Sequence, residues 1–366
     1  LAPSIDYDFE QGANLIGFAD LPNDNSVENI FSDIYNDIYS IIGENVVANP
    51  LNGTWVGSLT NLECTDGYWV NMNNANNLSV SGSGQCSQDQ NYSLHEAANL
   101  LSYPMYQSQL IENALPQYVQ ESLLGIIGSG YSAFYDSLNG WVGSLTSLDP
   151  YNGYWFVSLD ELEFSFNYPT DVAELSRSSE SVYVVDIPEE FKFNQSTEQA
   201  FYFIENILID SEGINEGDLL VSYCNNTIVG ARYWMGAGTD LPAMGVDGSA
   251  NTENYCEVGQ TPLIKVFRED GSVIDLVDAN VDKWEPNSIN FTGIIESIES
   301  LPTDFNVSSA YPNPFNPTTT INLELPYDSY IDINVYNILG SQVATLSSNE
   351  FKAGYHSITW DATLYS

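Results

Sequence analysis

A long internal duplication constrains this chain more than any other feature. Asn14-Leu15-Ile16-Gly17-Phe18 returns as Asn99-Leu100-Leu101-Ser102-Tyr103, and Ile41-Ile42-Gly43 returns as Ile126-Ile127-Gly128. Trp55-Val56-Gly57-Ser58-Leu59-Thr60 returns letter for letter from Trp141 to Thr146, and Gly67-Tyr68-Trp69-Val70 returns as Gly153-Tyr154-Trp155-Phe156. The matches are colinear at an offset of about 85 residues, the mark of one supersecondary unit used twice. We place repeat 1 at residues 1–88 and repeat 2 at residues 89–170.

Each repeat reads as mixed α and β. Val27, Ile30, Phe31, Ile34, Tyr35, Ile38 and Ile41 follow helical spacing, with Asn25 or Ser26 as the cap. Leu110, Ile111, Ala114 and Leu115 begin the same pattern in the second copy, where Pro116 must break or restart it. Trp55–Leu59, Gly67–Met72 and Leu78–Ser81 read as short strands between Asn/Gly turns. The recurring aromatics have two readings. One is core packing; the other makes Trp69 and Trp155 glycan-stacking platforms, because ring faces suit the apolar faces of sugars.

Residues 167–181 are polar and suit a linker. Beyond them, Val182–Ile187, Ala200–Ile209, Leu219–Tyr223, Ile228–Tyr233, Leu263–Phe267 and Val273–Val277 are rich in β-branched and aromatic residues. Six short strands fit a β-sandwich, placed at 182–300. A last region, 304–366, holds Thr320–Leu325, Ile331–Tyr336, Val343–Leu346 and His356–Trp360. There Ile331, Ile333 and Val335 alternate with Asp332 and Asn334, as in a half-buried antiparallel strand.

In this last region Tyr311, Pro312, Asn313, Pro314, Phe315, Asn316 and Pro317, followed by Thr318-Thr319-Thr320-Ile321, form a motif. It resembles the opening of the type A C-terminal sorting domain of the bacterial type IX secretion system. Val335-Tyr336-Asn337-Ile338-Leu339-Gly340, Ala353-Gly354-Tyr355-His356-Ser357-Ile358 and Trp360-Asp361-Ala362-Thr363 continue that resemblance with the right spacing. It implies an Ig-like C-terminal β-sandwich, engagement of secretion machinery, and a secreted protein, extracellular or at the cell surface. Members of the family continue with a Gly-x-Tyr strand and a final basic strand, whereas this chain stops at Ser366. The expectation is a domain short of its last strands, its edge open to a strand from another subunit, with Leu1–Gln11 as the donor. Upstream, Gly230-Ala231-Arg232 with Trp234 and the following Asp240-Leu241-Pro242-Ala243-Met244-Gly245 stretch resemble a β module of similar secreted proteins. So do the Trp-Val-Gly-Ser-Leu and Gly-Tyr-Trp repeats. Overall the chain reads as mainly β with some α.

Seven Lys and Arg stand against 50 Asp and Glu, a net charge of −43. That balance argues against nucleic acid and against an anionic membrane surface as partners. No apolar run is long enough to span a bilayer as a helix. Cys64 with Cys86 and Cys224 with Cys256 are the close pairs among three pairings, and an exported chain favours both as disulfides.

Catalytic signals are thin. The histidines are His95 and His356; His95 reads as a surface or capping residue, and no nucleophile elbow, phosphate loop or zinc helix is present. The chain therefore reads as non-enzymatic. No motif demands a cofactor. Calcium is the candidate, with Asp240, Asp247, Asn251 and Glu253 as hard-oxygen ligands and Asp20 to Asn25 as a second loop. Two functional classes follow: a structural surface protein that assembles with copies of itself (a filament, a layer or an adhesin), or a glycan-binding accessory protein of a secreted hydrolase system.

No Lys or Arg occurs before Arg177, so the first half of the chain has almost nothing to offset its carboxylates. We expect the melting temperature to rise as NaCl screens this repulsion, most steeply below about 0.1 M, where the Debye length exceeds about 10 Å. At low salt it should fall further when calcium is chelated. A melting curve flat with salt would show that the acidic surface costs the fold nothing.

Overall fold

The computed structural model describes residues 4–84, 86–169, 187–268, 271–276, 281–297, 302, 304–315 and 317–363. The mainly-β expectation holds: strands dominate throughout. Most of the proposed linker at 167–181 and of the strand at 182–187 lies outside the described residues.

Repeat 1 contains β1 (Ser4–Phe9), β2 (Gly12–Gly17), β3 (Ile38–Gly43), β4 (Val46–Leu51), β5 (Thr54–Gly57), β6 (Gly67–Met72) and β7 (Asn76–Ser81). Five of them form a sheet in the order β2-β6-β3-β4-β5, and β1 pairs with β7 beside it. In repeat 2 the counterparts are β8 (Tyr92–Leu94), β9 (Ala97–Ser102), β10 (Gln109–Leu110), β11 (Leu123–Ile127), β12 (Ser132–Asp136), β13 (Gly140–Gly143), β14 (Ser147–Leu148), β15 (Gly153–Ser158) and β16 (Leu162–Phe164). Their sheet runs β9-β15-β11-β12-β13, the same topology, and β8 pairs with β16 as β1 pairs with β7.

The helical reading of 27–41 is corrected. Only Val27–Ile30 is α-helical, capped by the Ser26 side chain; Ser32–Asp37 is a 3-10 turn and Ile38–Gly43 is strand β3. The Ile-Tyr-Ser-Ile-Ile run has the β-branched and aromatic content that a pleated surface packs well, and pairing on both sides decides the matter. In repeat 2, Pro116 restarts the chain as expected, between the short helices Ile111–Ala114 and Gln117–Glu121. The donor role given to Leu1–Gln11 is also corrected. Ser4–Phe9 is paired along its length with β7, and Ile5, Tyr7 and Phe9 are buried in repeat 1's own core.

The two repeats meet about a local twofold axis. Gly17 N–H donates to Tyr151 O at 2.8 Å and Ser102 N–H donates to Thr65 O at 2.9 Å. Ile16 bridges Asn152, and Leu101 bridges Asp66. Adding the repeat offset carries Gly17 to Ser102, Thr65 to Tyr151, Ile16 to Leu101 and Asp66 to Asn152, so each bond has its symmetric partner. This is the isologous geometry of a dimer, built inside one chain. Gly17 and Gly153 allow the approach: a Cβ on either would stand 2.6 Å from a carbonyl oxygen of the other repeat.

A third unit comprises β17 (Gln199–Ile209), β18 (Glu212–Gly213), β19 (Leu219–Cys224), β20 (Thr227–Tyr233), β21 (Thr239–Met244), β22 (Leu263–Phe267), β23 (Val273–Asp275) and β24 (Ile289–Ser297). One sheet places β18 and β21 on β17, with β24 parallel to β17; the other runs β20-β19-β22-β23. Ile204, Ile207, Leu241 and Ile295 of the first pack against Leu220, Ile264, Val266 and Ile274 of the second. The C-terminal unit contains β25 (Asn306–Val307), β26 (Thr318–Leu325), β27 (Ser329–Tyr336), β28 (Gln342–Phe351) and β29 (Gly354–Asp361), as a sheet β25-β26-β29 and a pair β27-β28. Its fully buried core is small: Leu323, Leu325 and Ile331.

A clasp closes the inter-repeat seam. His95 Nε2 lies 2.6 Å from Glu44 Oε1, and His95 Nδ1 lies 2.7 Å from Glu96 O, while Glu44 Oε2 accepts from Leu100 N–H at 2.9 Å. Both ring nitrogens thus face acceptors, which only the doubly protonated imidazolium satisfies. Glu44 first, then the Glu96 carbonyl, with a smaller push from Glu161, raise the His95 pKa above its ordinary 6.5. The folded value exceeds the unfolded one, so the clasp contributes fully below pH 6.5 and is lost as pH rises through the folded value. An NMR titration of the His95 ring should give a midpoint above 6.5 that falls in Glu44→Gln. A midpoint at or below 6.5 in the native chain would mean the clasp does not form.

Candidate functional site

Both expected disulfides form. Cys64 and Cys86 join within repeat 1, with Cα atoms 5.5 Å apart, and Cys224 and Cys256 join within the sandwich, with Cα atoms 5.2 Å apart. The other sequence candidates are redistributed by the fold.

Trp69 is 1% exposed, which removes it as a sugar platform. It sits with Leu15 and Leu100 in the contact between the repeats, where the half-buried Trp155 packs beside it. Trp155 also touches the cluster that joins repeat 2 to the sandwich. Both aromatics therefore follow the core-packing reading: the duplicated Gly-Tyr-Trp strand buries its Trp against the other repeat.

The calcium set is divided. Asp247 Oδ1 accepts from Thr252 Oγ1 and Ser249 N–H, and Oδ2 accepts from Thr197 N–H. These bonds hold its carboxyl below the usual range against the opposing effect of burial. Asn251 and Glu253 are exposed on the same turn. Asp240 is elsewhere, fully buried between repeat 2 and the sandwich. Among the described residues no three His, Cys, Asp or Glu side chains gather as a metal set. In the second loop, Asp20 is buried and accepts from the backbone of Leu21, Gly84 and Cys86.

The Asp240 junction is an elaborate polar site. Asp240 Oδ2 accepts from Ser132 N–H (3.1 Å), Ser132 Oγ (3.1 Å) and Ser144 Oγ (2.6 Å), and Oδ1 accepts from Ser144 N–H (3.1 Å). Arg232 Nη2 lies 3.4 Å from Oδ2 and donates to Gly130 O at 2.8 Å; its Nε donates to Asp240 O. The guanidinium also stands 5.2 Å from the Tyr131 ring centre. Burial pushes the Asp240 carboxyl up, while Arg232 and the two serines pull it back. Beside this pin Phe134 meets Phe203 and Phe291 edge-on, with ring centres 4.8 and 4.9 Å apart. Ile127, Phe201 and Ile289 are buried with them.

The junction was not visible as a site in sequence. Its one signal is scarcity: Arg232 is one of seven basic residues, and a chain so short of cations has few to place inside.

The C-terminal motif is pinned to its own sheet. Tyr311 and Thr320 exchange backbone bonds, Thr319 Oγ1 donates to Pro312 O at 2.8 Å, and Ala362 N–H donates to Pro317 O at 3.0 Å. Phe315 packs against Trp360. Tyr311 itself is 81% exposed. Asn316 lies outside the described residues.

Between the sandwich and this unit lies a cleft of about 420 Å³. Tyr223, Lys265 and Asp275 line one wall, and Asn322, Glu324 and Tyr355 line the other. Lys265 pairs with Asp275 at 2.9 Å and stands over the Tyr223 ring.

Comparison with known families finds one match: residues 309–363 fit the model of the secretion system C-terminal sorting domain. No curated protein and no solved structure matches the chain. The match agrees with the resemblance drawn from the Tyr311–Pro317 motif, and it marks a type IX secreted, cell-surface protein that engages the secretion machinery. No helix among the described residues is long and apolar enough to cross a membrane.

Removing the Asp240 carboxylate leaves Arg232 and the serine donors without their acceptor. Asp240→Ala should cost about 3–5 kcal/mol in denaturant unfolding, the range for breaking a buried pair. Ser144→Ala should cost about 1 kcal/mol, that of one hydrogen bond. Equal and small losses in both would show that the junction is not a structural pin. The calcium arm of the melting experiment loses Asp240 as its basis; the salt arm is unaffected.

Proposed function

We propose that this chain is a non-enzymatic structural protein of the cell surface, a subunit of a filament or layer or an adhesin, exported by its C-terminal sorting domain. The observation that carries the reading is where its charged pairs and large aromatics are spent. Asp240 with Arg232, Glu44 with His95, and Trp69 with Trp155 all join one unit to the next. Groups that elsewhere bind a substrate here fix three successive units in one orientation. The C-terminal unit meanwhile presents Tyr311, Ile338 and Leu339 to solvent, apolar side chains available to neighbours.

A second reading is supported by the cleft. Tyr223 and Tyr355 supply ring faces, and Asn322, Glu324 and Asp275 supply hydrogen-bonding groups, a combination that suits a sugar. In this reading the chain is a glycan-binding accessory protein, with Trp69 and Trp155 replaced by the cleft tyrosines.

Sedimentation and negative-stain microscopy of the full chain distinguish the two. Assembly predicts regular objects larger than the 40.5 kDa monomer. A chain that stays monomeric at high concentration and binds a glycan array in a manner lost with Tyr355→Ala would support the accessory reading instead.

A further inference from the structure

The duplication gives repeat 1 a counterpart of the site that holds Asp240. In repeat 2 the carboxylate takes four donors, the N–H and Oγ–H groups of Ser132 and Ser144. Strand register carries Ser132 to Val47 and Ser144 to Ser58. Ile42 faces Val47 and Ala48 faces Gly57 in repeat 1, as Ile127 faces Ser132 and Ala133 faces Gly143 in repeat 2.

The local geometry is the same in both copies. Gly57 and Gly143 share a φ of 137°, a conformation that favours glycine. Leu59 N–H donates to Val47 O at 2.9 Å, and Leu145 N–H donates to Ser132 O at 2.9 Å. Val47 N–H reaches Ser58 Oγ at 3.2 Å, as Ser132 N–H reaches Ser144 Oγ at 3.4 Å. Three of the four donors therefore recur: both backbone N–H groups and the Ser58 hydroxyl. Only the Ser132 hydroxyl is missing, because Val47 replaces it. In repeat 2 the site is filled; in repeat 1 Val56, Gly57 and Ser58 are exposed.

We infer that this notch on repeat 1 binds an aspartate-bearing loop of another protein, of the form Gly-x-Asp. The form follows from what fills repeat 2. Asp240 enters between the serines while Gly238, two residues earlier, lies so close to Val142 that a Cβ there would collide with its side chain. Val56 is the counterpart of Val142 and is 42% exposed. A carboxylate thus meets the donors of Val47 and Ser58 in charge-assisted hydrogen bonds, and a glycine clears Val56. No Lys or Arg lies within residues 1–176, so the incoming loop brings its own counter-charge, as the sandwich brings Arg232. The partner is a loop and not a whole sandwich, because the sandwich already reaches this side: Tyr39 Oη donates to Gly248 O at 3.4 Å.

The test uses the full chain and a capped peptide of the sequence Arg232–Leu241, which carries both the counter-charge and the aspartate, followed by amide NMR at about 0.15 M salt so that the acidic surface is screened. The expected result is saturable shifts at the Val47 and Ser58 amides. Binding should weaken about tenfold or more when the peptide Asp becomes Asn, and several-fold in Ser58→Ala. Ser58 Oγ also accepts the Val47 N–H, so the melting temperature of that variant is measured beside its binding. A loss of binding with native-like amide shifts away from the notch separates lost binding from lost fold. Absence of saturable shifts, equal binding of the Asn peptide, or no effect of Ser58→Ala would overturn the inference. So would shifts of the same amides by glucuronate with the peptide inert, because the ligand would then be a sugar acid and not a protein loop.

Discussion

A carboxylate taken out of water needs hydrogen-bond donors and a counter-charge, or it does not stay ionised. Asp240 meets both needs only where two units touch. The sandwich contributes Arg232, and repeat 2 contributes the serine donors and the Gly130 carbonyl that holds the guanidinium. Neither unit alone satisfies the pair. That is why the junction has a single register, and why the apolar contacts of Phe134, Phe203 and Phe291 fall where they do. This contact fixes the sandwich on repeat 2, while the C-terminal unit meets the sandwich elsewhere, through the Ser272–His356 bridge and the Ser357 N–H bond to Gly271 O.

Much of the fold was legible in sequence, because its signals are local or repeated. Strands with alternating or β-branched runs, such as Gly67–Met72 and Leu263–Phe267, have the bounds their residues indicate. The duplication fixed the shared topology of the two sheets, since equal sequences must solve the same packing problem. The helix over 27–41 was misread because a 3.6-residue period can arise by chance where a turn runs into an Ile-rich strand. Only pairing with β4 and β6, distant in sequence, excludes it. Long-range contact also explains the aromatics: nothing within Gly-Tyr-Trp says that Trp69 faces a second repeat and not a ligand. Asp240 was misjudged for the same reason. A Gly- and Asp-rich loop suits a cation equally well until its donors, nearly a hundred residues away in the chain, are known.

The charge imbalance takes on a different meaning in three dimensions. Of the seven Lys and Arg residues, Lys192, Arg232, Lys265 and Lys352 all pair with carboxylates. Three of these pairs are partly or largely exposed and each is worth little to stability. Arg232 differs because its partner is buried. Cations are used sparingly, and one of them is placed at the boundary between repeat 2 and the sandwich. Among the described residues Asp20 and Asp218 are buried as Asp240 is. The exposed carboxylates repel one another and keep chains apart until salt or a specific contact overcomes it.

Duplication starts with two identical surfaces, and the later history of each is written in which one was covered. On repeat 2 the β12–β13 edge carries Ser132 and Phe134, a hydroxyl for Asp240 and a ring for the sandwich. On repeat 1 the same positions are Val47 and Asn49, so the face that would receive a whole sandwich has lost its aromatic anchor. The edge itself, with Gly57 in its unusual conformation and Ser58 beside it, is unchanged. Glycine adopts this φ without the steric cost any other residue would meet. In both repeats the glycine is required from within, because a Cβ on Gly57 would stand 2.0 Å from Val47 O and one on Gly143 2.3 Å from Ser132 O. The edge therefore keeps its shape in repeat 1 without Asp240, and the exposed valine and three aligned donors stay in place for a smaller contact.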